Sequence, residues 1–172
     1  MLTDFHTHIF PDKMADKTIK LLESNIKEEY RPHKAELRGT LDALKQSMRE
    51  NNVDISLVLP IATNVKQSTT INNFAASING IDGIYSLGSL HPMQSDWESV
   101  LYDIKEKGLK GIKLHPEYQQ FYIDSKESIQ ILKKCEELDL ITVLHSGKDI
   151  GIDPPVHCTP ERLSHVLDYV KG

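Results

Sequence analysis

Residues 111–116 read Gly-Ile-Lys-Leu-His-Pro, and residues 140–147 read Leu-Ile-Thr-Val-Leu-His-Ser-Gly. Each is a short β-rich run that stops abruptly at a histidine. The same design recurs upstream. Leu2 to His6 opens the chain, Ile55-Ser-Leu-Val-Leu59 stops at Pro60, and Ile84-Tyr-Ser-Leu-Gly-Ser-Leu90 stops at His91-Pro92. Runs that are apolar on both faces suit strands of a parallel sheet covered by helices. Helical patterns between them argue for crossover connections.

Those helical patterns have readable ends. Leu41, Leu44 and Met48 share a face behind the capping hydroxyl of Thr40. Trp97, Leu101 and Ile104 do the same, with Gly108 placed to close the helix. Ile129, Leu132, Cys135 and Leu138 form one stripe, which makes Cys135 a core residue. Thr159-Pro160-Glu161 is a helix start, and Leu163, Val166 and Val170 supply its buried face. Residues 24–38 are polar and weakly periodic. They read as a mostly solvated insertion after the first strand, where βα loops cover the ligand end of a barrel.

Composition narrows the function. The 172 residues carry a net charge of −5 without a cluster of Lys and Arg, which argues against a nucleic-acid partner. No apolar run reaches the roughly 18 residues of a membrane span, and the N-terminus lacks a signal-peptide pattern, so the expected location is cytoplasmic. The two cysteines, Cys135 and Cys158, suggest neither a disulfide framework nor a thiolate metal site.

Histidine carries the chemistry. In Asp4-Phe-His-Thr-His8, strand alternation puts His6 and His8 on one face with Asp4 a step deeper. Two neutral imidazoles at that spacing can bind one divalent ion, with Asp4 orienting a ligand from behind. The competing reading is two polar residues where a strand leaves the core. Position favours the metal. The pair lies at the C-terminal end of the first strand, and His91, His115 and His145 end the third, fourth and fifth, the edge where parallel α/β folds bind ligands. His145, before the turn at Ser146-Gly147, has the best context for a third ligand. Lys113 shares a strand face with His115 and is suited to an anionic substrate group or to a carbamate that bridges metals. It reads equally as a snorkelling or ion-paired lysine. His91 serves mainly to end its strand, and His33, His157 and His165 read as solvated.

These motifs resemble the amidohydrolase superfamily, in the branch that includes aminocarboxymuconate-semialdehyde decarboxylase-like proteins. The resemblance rests on DFHTHIFPD (4–12), GSLHP (88–92), GLKGIKLHPEYQQF (108–121), ELDLITVLHSG (137–147) and the PP…TPERL run (154–163), in the family's order. It implies an α/β fold of the (β/α)8 TIM-barrel type and a metal site of His6, His8 and His145 holding Zn2+ or another divalent ion. It also implies hydrolysis or decarboxylation of a small-molecule substrate. Lys113 and His115 match a strand-four segment whose role varies among members, and are the expected catalytic or substrate-anchoring pair. A phosphoesterase of the polymerase-and-histidinol-phosphatase type also begins with HxH, but its further ligands have no counterparts here.

The chain departs from the family in length. About five βα units are present, so residues 1–172 read as the N-terminal part of a single metal-dependent hydrolase barrel domain. The family's histidine after strand six and aspartate after strand eight have no place in it. Five strands leave open edges. The expectation is a truncated product of a longer gene, with a half-barrel that forms a homo-oligomer through those edges as its rival. In function, hydrolysis through a metal-activated water leads. A decarboxylase on the same scaffold and a catalytically incomplete fragment that only binds metal or a partner are the alternatives.

Overall fold

A computed structural model describes residues 1–30 and 34–171. Five parallel strands follow the chain: β1 (Thr3–Thr7), β2 (Ile55–Val58), β3 (Ile84–Ser86), β4 (Gly111–Leu114) and β5 (Ile141–Leu144). β1, β2 and β3 form one sheet, and β4 and β5 another. A parallel bridge between Gly88 and Ile112 joins the two, with the Gly88 N–H donating to Gly111 O and the Lys113 N–H to Gly88 O, both at 2.8 Å. The strands therefore succeed one another in chain order as an open arc, and the barrel does not close. The third strand is shorter than its apolar run because it passes from β2 to β4 at Gly88. A Cβ there would meet Ile104 at 2.8 Å.

Most helices begin where the capping chemistry places them. Thr40 accepts from the Ala43 N–H at the head of α2 (Leu41–Glu50), and Thr159 from the Arg162 N–H at the head of α7 (Pro160–Val166). Gly108 follows α4 (Trp97–Glu106) with φ +75°. Three helices were not foreseen: α1 (Asp12–Asn25), α3 (Ser68–Ile78) and the one-turn α5 (Pro116–Gln119). α1 takes in Ser24 and Asn25 of the segment read as an insertion, and a 3-10 turn, Glu28–Tyr30, follows it. Its signal was present as Ala15, Ile19 and Leu22 behind Pro11. α6 (Lys126–Glu137) carries the fully packed Cys135.

The main core gathers Leu101, Ile104, Ile112, Leu114, Ile131 and Leu132, with Val166 of α7 and the partly buried Val170 beyond it. β4 is buried along its whole length. Gly111 admits its neighbour because it lacks a side chain: a Cβ would lie 2.1 Å from Ile141 O. The edge strands differ from β4. β1 is exposed at Thr3–His6, and Phe5 and Ile141 keep 64% and 60% of their surface open, as unpaired barrel edges require. Above the strand ends, the segment after α1 reaches the loop after β5. Lys27 pairs with Asp153 at 2.5 Å, the Lys27 N–H donates to Ile150 O, and Lys148 Nζ donates to the Tyr30 hydroxyl at 2.9 Å. Among the described residues no helix is long and apolar enough to cross a membrane.

Candidate metal centre

The first-strand histidines converge. His6 Nε2 and His8 Nε2 lie 3.1 Å apart. Two ligands on a tetrahedral ion with bonds of about 2.0–2.1 Å sit roughly 3.3–3.4 Å from each other. The geometry also fixes a tautomer. His8 Nδ1 is 2.8 Å from Leu59 O, and a carbonyl only accepts, so Nδ1 carries the proton and Nε2 keeps its lone pair. The pair survives an irregular strand. A bulge between Asp4 and Thr7 breaks the two-residue alternation, and Thr7 anchors it by donating to Leu57 O at 2.9 Å. Asp4 departs from its expected role. It accepts from the His6 backbone N–H at 3.2 Å, and its charge opposes the lowering of the His6 pKa.

His115 and His145 form a second cluster. Their rings stack with centroids 3.9 Å apart, and Tyr118 stacks on the far side of His115 at 4.2 Å. His115 is buried and caps α5, its Nδ1 accepting from the Tyr118 N–H. Neutral His115 therefore carries its proton on Nε2, the opposite tautomer from His8. The His145 Nε2 is sealed from solvent and has no hydrogen-bond partner among the described residues. Asp149, four residues on, is buried beside both rings. Its Oδ2 lies 3.7 Å from His115 Nε2 and 3.8 Å from His145 Nε2, while its Oδ1 accepts from the Gly151 N–H at 2.7 Å. Among the described residues, His115, His145 and Asp149 are the trio whose donor atoms all lie within 4.8 Å of one another. His6 and His8 stand apart from it as a pair. Sequence reasoning missed Asp149, whose signal was a carboxylate closely following a strand-end histidine.

Lys113 lies beneath these groups. Its side chain is fully enclosed and its Nζ has no hydrogen-bond partner among the described residues. Burial lowers its pKa to about 8. The histidines are shifted the same way. Burial, then the charges of His145 and Lys113, push His115 down to about 3. Burial and Lys113 lower His6, and burial and His6 lower His8. Burial outweighs the opposing pull of Asp149 at His145. Neutral imidazoles are the form that binds a cation. Among the described residues, the donor atoms of His115, His145 and Asp149 lie close enough together to suit a divalent ion, and the His6–His8 pair offers a separate set of nitrogen donors.

The remainder of the strand-four motif holds the centre together. Gln119 is buried and reaches three strand ends. Its Oε1 accepts from the His115 N–H at 2.8 Å, and its Nε2 donates to Ala62 O at 2.8 Å and Leu90 O at 2.7 Å. Glu117 accepts from the His157 backbone N–H and pairs with His157 Nδ1, each at 2.7 Å. His157 is thus a buried partner and not the solvated residue its loop context suggested. His91 keeps its strand-ending role, its Nδ1 accepting from the Met93 N–H. His165 is half exposed at the surface, and His33 lies outside the described residues.

No protein-family model matches the sequence, and no curated protein does. Solved structures match the fold. 5-Carboxyvanillate decarboxylase LigW from Sphingomonas paucimobilis superposes with a TM-score of 0.63 at 16% identity, over 84% of this chain and 51% of that one. An amidohydrolase II structure gives 0.64 at 17% identity, over 90% and 53%. The fold is theirs. A 5-carboxyvanillate decarboxylase from Novosphingobium aromaticivorans, solved with bound manganese and 3-methoxy-4-hydroxy-5-nitrobenzoic acid, gives 0.61 at 14% identity, over 87% and 51%. The chain spans about half the length of the solved structures it matches, and its open arc corresponds to part of a TIM barrel.

Proposed function

We propose that this chain forms the metal-binding half of an amidohydrolase-type barrel enzyme. It acts on a small anionic substrate, and decarboxylation is its leading reaction. His6, His8 and His145 are the residues that would hold a divalent cation, manganese or zinc. The observation that carries this reading is the His6–His8 pair, with Nε2 atoms 3.1 Å apart and the His8 lone pair preset by Leu59 O. When bound, the cation supplies positive charge against the negative charge that develops at the reacting carbon or on an attacking water.

The chain's own residues supply the rest. Lys113 is an enclosed cation without a counter-ion among the described residues, suited to a substrate carboxylate, since an unpaired buried charge is costly until an anion reaches it. His115, neutral and clamped between Tyr118 and His145, offers an oriented Nε2–H to the substrate or to Asp149. The contacts between residues 27–30 and 148–153 tie the segment after α1 to the loop after β5. Decarboxylation is favoured by the likeness to decarboxylases of aromatic acids. Hydrolysis through an activated water is the second reading, and the likeness to the amidohydrolase II structure supports it.

The test is to load the chain with Mn2+ or Zn2+ and screen aromatic carboxylates for CO2 release, and amides and lactones for hydrolysis. CO2 release lost in a His6→Ala, His8→Ala variant supports the leading reading, and hydrolysis lost in that variant supports the second. Stoichiometric metal without turnover would leave a metal-binding unit that needs further strands. Absence of bound metal would sink the assignment.

A further inference from the structure

Three polar atoms at the ends of β4 and β5 face one another without hydrogen bonds between them: His115 Nε2, His145 Nε2 and Asp149 Oδ2. We infer that Asp149 is the anionic ligand of the cation held at His145, and that His115 orients its carboxylate. The inference rests on the reading above, in which His145 holds the metal.

Distance supports it. Two donors sharing an ion at about 2.1 Å can lie no more than about 4.2 Å apart. Asp149 Oδ2 and His145 Nε2, at 3.8 Å, fall inside that limit yet are too far apart to hydrogen-bond to each other. The two oxygens of Asp149 also have separate tasks. Oδ1 is occupied by the Gly151 N–H, which fixes the carboxylate plane. Oδ2 is left facing the rings.

The tautomers assign the rest. His115 Nδ1 accepts from the Tyr118 N–H, so its Nε2 carries a proton and has no lone pair for a cation. That N–H faces Asp149 Oδ2 at 3.7 Å, beyond hydrogen-bond length, and would come within donating reach of the carboxylate as it turns onto a cation. The stacked rings of His115 and His145 hold the arrangement in register. A carboxylate next to a histidine site, buried and committed by only one oxygen, is otherwise an expense to the fold. A cation also gains from it. His6, His8 and His145 are all neutral donors, and one carboxylate lowers the net charge of the filled centre from +2 to +1.

The test uses the full chain with Mn2+ alone as the probe, by calorimetry and by metal content after dialysis. Co2+ absorption then reports coordination directly. Asp149→Asn keeps the shape and the Gly151 contact but removes the charge. It is expected to weaken Mn2+ binding by about 100-fold or more and to move the Co2+ visible bands, with the circular dichroism of the metal-free chain unchanged. Wild-type affinity in Asp149→Asn, with binding lost in His145→Ala, would overturn the role of Asp149 and leave the metal reading intact. Weakened binding with an unchanged Co2+ spectrum would also overturn it, since Asp149 would then only hold the loop. No binding by the wild-type chain would overturn both.

Discussion

Glu117 and His157 meet across forty residues of chain. The carboxylate of Glu117 takes both the backbone N–H and the ring Nδ1 of His157 at 2.7 Å, and both residues are buried. This pair fastens the loop that carries Asp149 to the short helix that begins at His115. Cys158, the next residue, completes the fastening by accepting the Gly147 N–H at its carbonyl.

Glu117→Ala is therefore expected to be costly. It leaves two buried donors of His157 unsatisfied, at about 1–3 kcal/mol each before relaxation. Urea unfolding should show a loss of roughly 2–4 kcal/mol, whereas Glu117→Gln, which can still accept one bond, should lose less. Equal stability of wild type and Glu117→Ala would mean the pair contributes nothing net.

Gln119→Ala should behave similarly for a different reason. The side chain makes three hydrogen bonds that join the ends of β2, β3 and β4. A loss of about 2–4 kcal/mol is expected. Metal affinity should fall with it, because His115 loses the partner of its backbone N–H. A change in stability without any change in Mn2+ binding would separate Gln119 from the centre.

Lys113 is expected to oppose folding. Burial lowers its pKa from 10.5 to about 8, so between those values the folded chain binds fewer protons than the unfolded chain. The penalty for a charged Lys113 is fully present below about pH 8 and disappears as pH rises toward 10.5. Lys113→Met should then stabilise the metal-free chain by on the order of 3 kcal/mol at pH 7 and by little near pH 10. Denaturation at the two pH values checks the sign. A gain that is the same at both would show that packing, not charge, is responsible.

The lowered pKa values of His6, His8 and His145 set the pH range of metal binding. Each group stays neutral below the usual imidazole value, so protons compete with the cation only at lower pH. Mn2+ affinity should hold through about pH 6.5, where ordinary imidazoles are already half protonated, and fall only under more acidic conditions. Affinity that halves at pH 6.5 would contradict this order.

The open edges predict association. Phe5 on β1 and Ile141 on β5 lie uncovered on strands with free backbone groups. Concentration-dependent self-association, reduced by Ile141→Lys, is the expected behaviour in light scattering. A monodisperse monomer at high concentration would count against edge pairing.

Much of this protein could be read from its residues in order. Short apolar runs ending at His, capping hydroxyls at Thr40 and Thr159, and the glycine at 108 are local signals, because hydrogen bonding and burial over a few residues suffice to produce them. The strand identities and the placement of His6, His8, His115 and His145 at one edge followed from those signals. The tertiary structure decided what depends on partners distant in sequence. The tautomer of His8 comes from Leu59 O, and His157 is buried because Glu117, forty residues away, accepts its protons. Lys113 lost its alternative as a snorkelling residue only when β3 and β5 enclosed β4. Asp149 joined the centre because a loop turned it back onto two stacked rings. Sequence patterns fix which way a backbone runs; only the packed chain fixes which buried polar groups find each other.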